Sequence, residues 1–153
     1  MFCFWGECMH FEDIVNIELL NKGIDSIEKM NIKYLAEAFG IEVFYFDYST
    51  RLIFDGNIYC LIDNRLNEFE KYEDFLHELS HLIYMESIHT IKRDKWKFIE
   101  CKVNAIIPYL AIPKFAIDTI KGKTVEEISE EFGISQKLVM KRLQLLKNKG
   151  VEM

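Results

Sequence analysis

The chain has few of the features that would place it in a secreted, membrane-bound or nucleic-acid-binding class. Among its 153 residues there are four cysteines and no C-x-x-C pair, so neither a disulfide framework nor a zinc ribbon is indicated. No uninterrupted apolar run approaches the roughly 18–20 residues of a membrane span. Basic residues are outnumbered, 19 against 25 acidic residues, and the net charge of −6 argues against general affinity for nucleic acid. A cytoplasmic protein with free thiols is therefore expected.

Residues 1–10 also lack the marks of a targeting segment. They are apolar, but they have no basic stretch and no long apolar core, so they do not resemble a signal peptide and are expected to form a disordered extension. Cys3, Cys8 and His10 within them could form part of a second metal site, for which the sequence offers no fourth ligand. Half of the chain is apolar, which is enough for a sizeable core.

Hydrophobic periodicity and capping residues predict an α+β domain that begins and ends with helices around a small, mostly antiparallel sheet. A turn at Asp55-Gly56 joins the last two strands. Residues 1–120 are expected to form the main domain, and residues 121–153 a helix-turn-helix-like pair packed on it. The predicted elements are two helices, three strands and four helices, over residues 11–21, 25–39, 41–46, 51–54, 58–62, 67–86, 95–110, 124–132 and 135–148.

The most informative stretch is an H-E-x-x-H motif, His77-Glu78-Leu79-Ser80-His81, in the longest predicted helix. Residues four apart on a helix point the same way, so His77 and His81 can hold one metal ion. Glu78 between them is then placed to act as a general base on water at the open position of that ion.

A catalytic zinc site needs a third protein ligand, and Glu100 on the next predicted helix is the candidate. Asn104 shares its face at i+4, and two polar residues on an otherwise apolar helix need partners. Glu100 is therefore predicted to bind the metal, and Asn104 to hydrogen-bond to a metal ligand. Zn²⁺ is the expected ion, although two histidines and a carboxylate also suit Mn²⁺ or Fe²⁺.

A second electrophile often stabilises the oxyanion in peptide hydrolysis. Tyr109, Tyr84 and His89 are candidates for this role, and the sequence does not choose among them.

Three of these motifs together resemble the ImmA/IrrE metallopeptidases. The family pattern is H-E-[LI]-[GS]-H, then E-x-x-x-N, then L-L-x-P, and this chain has His77 to His81, Glu100 to Asn104, and Leu110-Ala-Ile-Pro113 in that order. Similarity extends upstream to Gly40-Ile-Glu-Val43 and downstream to Met140-Lys-Arg-Leu143. The chain departs from the family at Lys102, Val103, Ile106 and Pro108, none of which is a ligand or the base.

The resemblance implies a zincin-like fold and a zinc-dependent endopeptidase. Family members relieve repression by cleaving a helix-turn-helix repressor of a phage or mobile element, so a repressor encoded nearby is the expected substrate. Two alternatives without proteolysis stay open, a DNA-binding regulator that uses the last two helices and a protein that only sequesters the repressor. No membrane partner is expected, and the sequence does not predict the oligomeric state.

Overall fold

The computed structural model of the protein describes residues 10–87 and 96–153. Within these residues the order is helices, a three-stranded sheet and helices again, which confirms the α+β class. The elements are α1 (Phe11–Asn21), α2 (Ile32–Phe39), β1 (Ile41–Phe46), β2 (Thr50–Phe54), β3 (Asn57–Asp63), α3 (Glu68–Ser87), α4 (Trp96–Ala111), α5 (Ile117–Ile120), α6 (Val125–Phe132) and α7 (Gln136–Asn148).

The predicted second helix, over 25–39, is wrong in its first half. A short 3-10 turn covers 27–29, and α2 begins only after Asn31, whose backbone is extended (φ −151°, ψ 166°). The Asn31 side chain accepts a hydrogen bond from the Tyr34 amide at 3.1 Å, so it caps a new helix. Ser26, near the start of the predicted helix, makes no capping hydrogen bond. At the other end α2 stops as expected at Gly40, whose φ of 65° is left-handed.

The sheet is mixed, not mostly antiparallel. Its order is β1-β3-β2, with β3 parallel to β1 and antiparallel to β2. The Asp55-Gly56 hairpin is confirmed, with positive φ at both residues. The last strand in the chain, β3, is the central strand of the sheet. Its Cys60 and Ile62 side chains are buried, whereas β2 is largely exposed. Periodicity within each strand does not reveal this strand order.

The core places α3 at the centre of the molecule. Its buried face, which includes Phe75, Leu79 and Ile83, packs against β3 and α4, and α7 in turn packs on α4. Buried residues from α1 to α7 belong to one hydrophobic cluster. The helices at both ends of the described chain therefore share a core with α3, which carries the H-E-x-x-H motif.

A buried ionic cluster fixes α7 to α1. Arg142 has no exposed surface and donates to Glu12 Oε1 at 2.5 Å and to the Ile112 carbonyl at 2.9 Å. Lys149 donates to the other Glu12 oxygen. The Arg142 guanidinium also lies 4.8 Å from the centre of the Tyr109 ring. We call Glu12, Arg142 and Lys149 the Glu12 cluster.

One stretch among the described residues, Lys97–Ile120, is long and apolar enough by length and composition to cross a membrane, although the sequence suggested none. Its most apolar window is 56% buried inside the protein, as in the core helix of a soluble protein. The helix within it ends at Ala111, before Pro113. The stretch is therefore weak evidence for a membrane span.

Candidate metal centre

Helix α3 carries both histidines and holds them in a defined geometry. A reciprocal cap begins the helix, because Asn67 Oδ1 accepts from the Glu70 amide at 2.9 Å and Glu70 Oε2 accepts from the Asn67 amide at 3.0 Å. One full turn of this helix separates His77 from His81, and their Nε2 atoms lie 3.3 Å apart. His81 is 4% exposed, whereas about a third of the His77 side chain reaches solvent.

Helix α4 brings Glu100 to the same point. Glu100 Oε1 lies 2.8 Å from His81 Nε2, and Glu100 Oε2 lies 3.4 Å from His77 Nε2. The donor atoms of the three residues all lie within 4.8 Å of one another. The structure therefore brings together the three predicted ligands, whose sequence positions are 19 residues or more apart between the two helices. They form a group that could hold a metal ion.

The chemistry of this donor set fits a divalent cation. Burial lowers the pKa of His81, and the nearby Arg51 charge lowers it further, so the imidazole stays neutral and offers a lone pair. Glu100 Oε1 is buried, and His81 Nε2 lies 2.8 Å from it. Lone pairs that converge in this way repel one another unless a positive charge lies between them.

The separations are also those of a first coordination shell. Ligand atoms at about 2.0–2.2 Å from a tetrahedral ion lie about 3.3–3.5 Å from one another. Two of the three separations here, 3.3 Å and 3.4 Å, match that value. The third, 2.8 Å between His81 Nε2 and the other Glu100 oxygen, is shorter and is a hydrogen-bonding distance.

Glu78, the predicted base, lies beside this group and is mostly buried. Burial raises its pKa, which the positive charge of Arg51 opposes and the carboxylate of Glu100 reinforces. A carboxylate with a raised pKa is better suited to accepting and returning a proton near neutral pH than an exposed one.

Arg51 is the site residue that the sequence did not indicate. It projects from β2 toward α3, with its Nη1 3.9 Å from Glu78 Oε2. That nitrogen is buried and has no hydrogen-bond partner among the residues described. The sequence contains only a weak signal for Arg51. Side chains alternate along a strand, so Arg51 points to the opposite face from its neighbours Thr50 and Leu52. A buried guanidinium beside two carboxylates and two histidines contributes positive potential to the site.

The remaining predicted residues are only partly at the site. Asn104 is exposed and lies in the same cleft as His77, without a side-chain hydrogen bond among the described residues, so its role toward a ligand stays a prediction. Tyr84 is buried one turn beyond His81. His89 lies outside the described residues.

Tyr109 points elsewhere. It lies nine residues beyond Glu100, about 13 Å along α4, and its hydroxyl is 3.4 Å from His10 Nε2. His10 is the cap of α1, where its Nδ1 accepts from the Glu12 amide. Of the suggested second metal site, Cys3 and Cys8 lie outside the described residues.

A cleft opens from the metal centre toward α7, and we call it the α7 cleft. Its volume is about 320 Å³. A larger cavity of about 880 Å³ lies between α2, β1 and the end of α6, and none of the three clustered residues lines it. The α7 cleft is lined by Glu73, Asp74, His77, Asn104, Ile107, Ser135, Lys137, Leu138 and Lys141.

Comparisons of the chain with protein-family models, curated proteins and solved structures found no match.

Proposed function

We propose that the protein is a metal-dependent endopeptidase with a zincin-like site of the ImmA/IrrE type. The observation that carries this proposal is the convergence of His77, His81 and Glu100, from two helices, with Glu78 beside them. Three protein ligands are the number found in catalytic zinc sites, which keep a further position for water or substrate.

His77, His81 and Glu100 would hold the ion. When bound, a divalent cation supplies a Lewis acid that makes water more acidic and polarises a peptide carbonyl. Glu78 accepts the proton of the attacking water at its carboxylate, and the same carboxyl group returns that proton to the leaving amine. Arg51 contributes positive charge next to the Glu78 carboxylate and favours its ionised form before the attack.

The substrate is proposed to lie along β2. The strand order leaves β2 at an edge of the sheet, and it carries Arg51 to the site, so its free edge is close to the metal centre. An extended peptide can add to such an edge through main-chain hydrogen bonds, and this places its carbonyls in a regular array. A helix-turn-helix repressor encoded nearby is the expected protein substrate, and the cytoplasm the expected compartment.

The contacts of α7 count against the DNA-binding alternative. Arg142 is fully buried against Glu12, and Lys149 is paired with the same carboxylate. Two of the basic residues that give the C-terminal segment its positive charge are thus not available to phosphates.

The test is cleavage of the neighbouring repressor by the zinc-loaded protein, by Glu78→Gln and by protein treated with a chelator. We expect fragments from the wild type alone, while Glu78→Gln keeps one metal equivalent by elemental analysis. Full activity in Glu78→Gln would refute the role of the base. A stable complex with the repressor and no fragments in any sample would assign the protein to sequestration.

A further inference from the structure

The α7 cleft carries, next to the metal centre, two cations that have no ion-pair partner among the described residues. Lys137 and Lys141 are one helical turn apart on α7, and both line the cleft that also contains His77 and Asn104. Both side chains are exposed, and neither makes a hydrogen bond, ion pair or cation–π contact with any described residue.

The two acidic residues of the cleft keep their charge but form no ion pair with either lysine, because other groups hold their carboxylates. Glu73 Oε1 accepts from the Ser135 amide at 2.6 Å, which holds it at the beginning of α7. Asp74 Oδ2 accepts from the Ser49 hydroxyl at 2.5 Å, on the side of the sheet. The cleft thus contains two carboxylates fixed by hydrogen bonds and, on α7, two ammonium groups that have no ion-pair partner among the described residues.

We propose that the α7 cleft is a substrate subsite for acidic side chains, which Lys137 and Lys141 recognise. This inference rests on the proposed endopeptidase function, since a peptide with its scissile bond at the metal centre must place its neighbouring residues in the adjoining cleft. A volume of about 320 Å³ is that of a small-ligand pocket and accommodates a few side chains. Carboxylates there gain two cations that lack an ion-pair partner, whereas lysine or arginine side chains meet the like charge of Lys137 and Lys141 and find the Glu73 and Asp74 carboxylates already hydrogen-bonded.

The first test measures binding and does not require catalysis. Fluorescein-labelled peptides that alternate Ala with Glu, Gln or Lys are titrated against zinc-loaded Glu78→Gln protein, with fluorescence anisotropy as the readout. We expect the Glu peptide to bind about tenfold more tightly than the Gln peptide, with a preference that declines as salt is added.

Matched variants test whether Lys137 and Lys141 cause the preference for the Glu peptide. The double variant Lys137→Gln/Lys141→Gln should lose most of this preference. The double variant Lys137→Glu/Lys141→Glu should reverse the preference in favour of the Lys peptide, a change that a merely structural effect would not produce. Lys147→Gln is the control, because Lys147 is an exposed lysine of the same helix that lines a different cavity, with Met140 and Val151. Equal loss in Lys147→Gln, or no preference in the parent protein, would overturn the proposal.

The second test separates the subsite from the reaction. A random peptide mixture is digested with zinc-loaded wild-type protein and with the double glutamine variant, and the products are sequenced by mass spectrometry. Cleavage sites with Asp or Glu enriched at a fixed distance in the wild type alone support the subsite. Cleavage without that enrichment refutes the subsite and leaves the endopeptidase. Lysine-dependent binding without any cleavage supports a binding site for acidic side chains beside the metal centre and counts against its role as a protease subsite and against the endopeptidase function.

Duplex DNA is the competing ligand for two lysines. If a labelled 20-base-pair duplex binds through Lys137 and Lys141 with steep salt dependence, while the peptides show no preference, the lysines belong to a nucleic-acid surface and the proposal fails.

Discussion

The Glu12 cluster makes a quantitative prediction about stability. Glu12→Gln keeps the size of the side chain but removes its charge, which leaves the fully buried Arg142 without a counter-ion. Removing one partner of a buried ion pair costs about 3–5 kcal/mol, because the remaining charge is still desolvated. For a chain of this length that loss lowers the melting temperature by roughly 6–20 °C.

The three members of the cluster should differ in a fixed order. Arg142→Met should cost the most, since Arg142 also donates to the Ile112 carbonyl and lies over the Tyr109 ring. Lys149→Met should cost no more than about 1 kcal/mol, because the Lys149 side chain is more than a third exposed and water screens its charge. The double variant Glu12→Leu/Arg142→Met should recover part of the loss, since apolar groups replace a matched pair.

The pH dependence follows from the direction of the Glu12 shift. Burial raises the pKa of Glu12, but hydrogen bonds from Lys149 and Arg142 outweigh that effect and hold the pKa below its ordinary value of 4.5. A lowered folded pKa means that the extra stability is fully present above pH 4.5 and is lost as pH falls through the folded pKa. The difference between wild type and Glu12→Gln should therefore shrink in acid.

The assay is urea unfolding followed by circular dichroism, at pH 7 and at several values below 4.5, with free energies from linear extrapolation. The reasoning would be refuted if Glu12→Gln cost less than about 1 kcal/mol at pH 7, or if Glu12→Gln and Lys149→Met were equal.

Three further predictions use other parts of the molecule. Zinc at 1,000 times its Kd should stabilise the fold by about 4 kcal/mol, seen as a higher melting temperature that His81→Ala abolishes; an equal rise in both proteins would place the ion elsewhere. Burial raises the pKa of the Cys60 thiol to about 12, so iodoacetamide at pH 8 should label the exposed Cys101 and spare Cys60 in peptide mapping; rapid labelling of Cys60 would show that its environment opens. Gly133→Ala should cost about 1 kcal/mol in urea unfolding, because φ there is 64° and no neighbouring atom crowds the site, so that a much larger loss would point to a clash.

The sequence predicted that His77, His81 and Glu100 lie together, because helical geometry translates spacing into position. His81 follows His77 by four positions, about one turn of helix, so the two side chains point the same way. Glu100 required a second argument, that a carboxylate on an apolar helix face needs a partner. Neither consideration predicted Arg51, since a single arginine in a short strand has no partner at a fixed spacing. Its approach to Glu78 depends on how the sheet packs over α3.

Strand order and helix interruption were missed for a similar reason. The sheet is mixed because β3 is its central strand. That position depends on tertiary packing, which buries Cys60 and Ile62. The break at Asn31 depends on the competition between a capping side chain and a continuing helix, in which the hydrogen bond to the Tyr34 amide favours the cap.

The Glu12 cluster and the proposed subsite are physically connected through α7. Arg142 follows Lys141 directly in the chain, and it is held by Glu12 on α1 and by the Ile112 carbonyl after α4. The helix therefore cannot rotate to turn its lysines away from His77 without breaking a buried ion pair, at a cost of several kcal/mol. The free-energy cost of breaking this ion pair explains why two exposed lysines can still define one wall of a cleft, because the buried pair fixes the backbone that carries them.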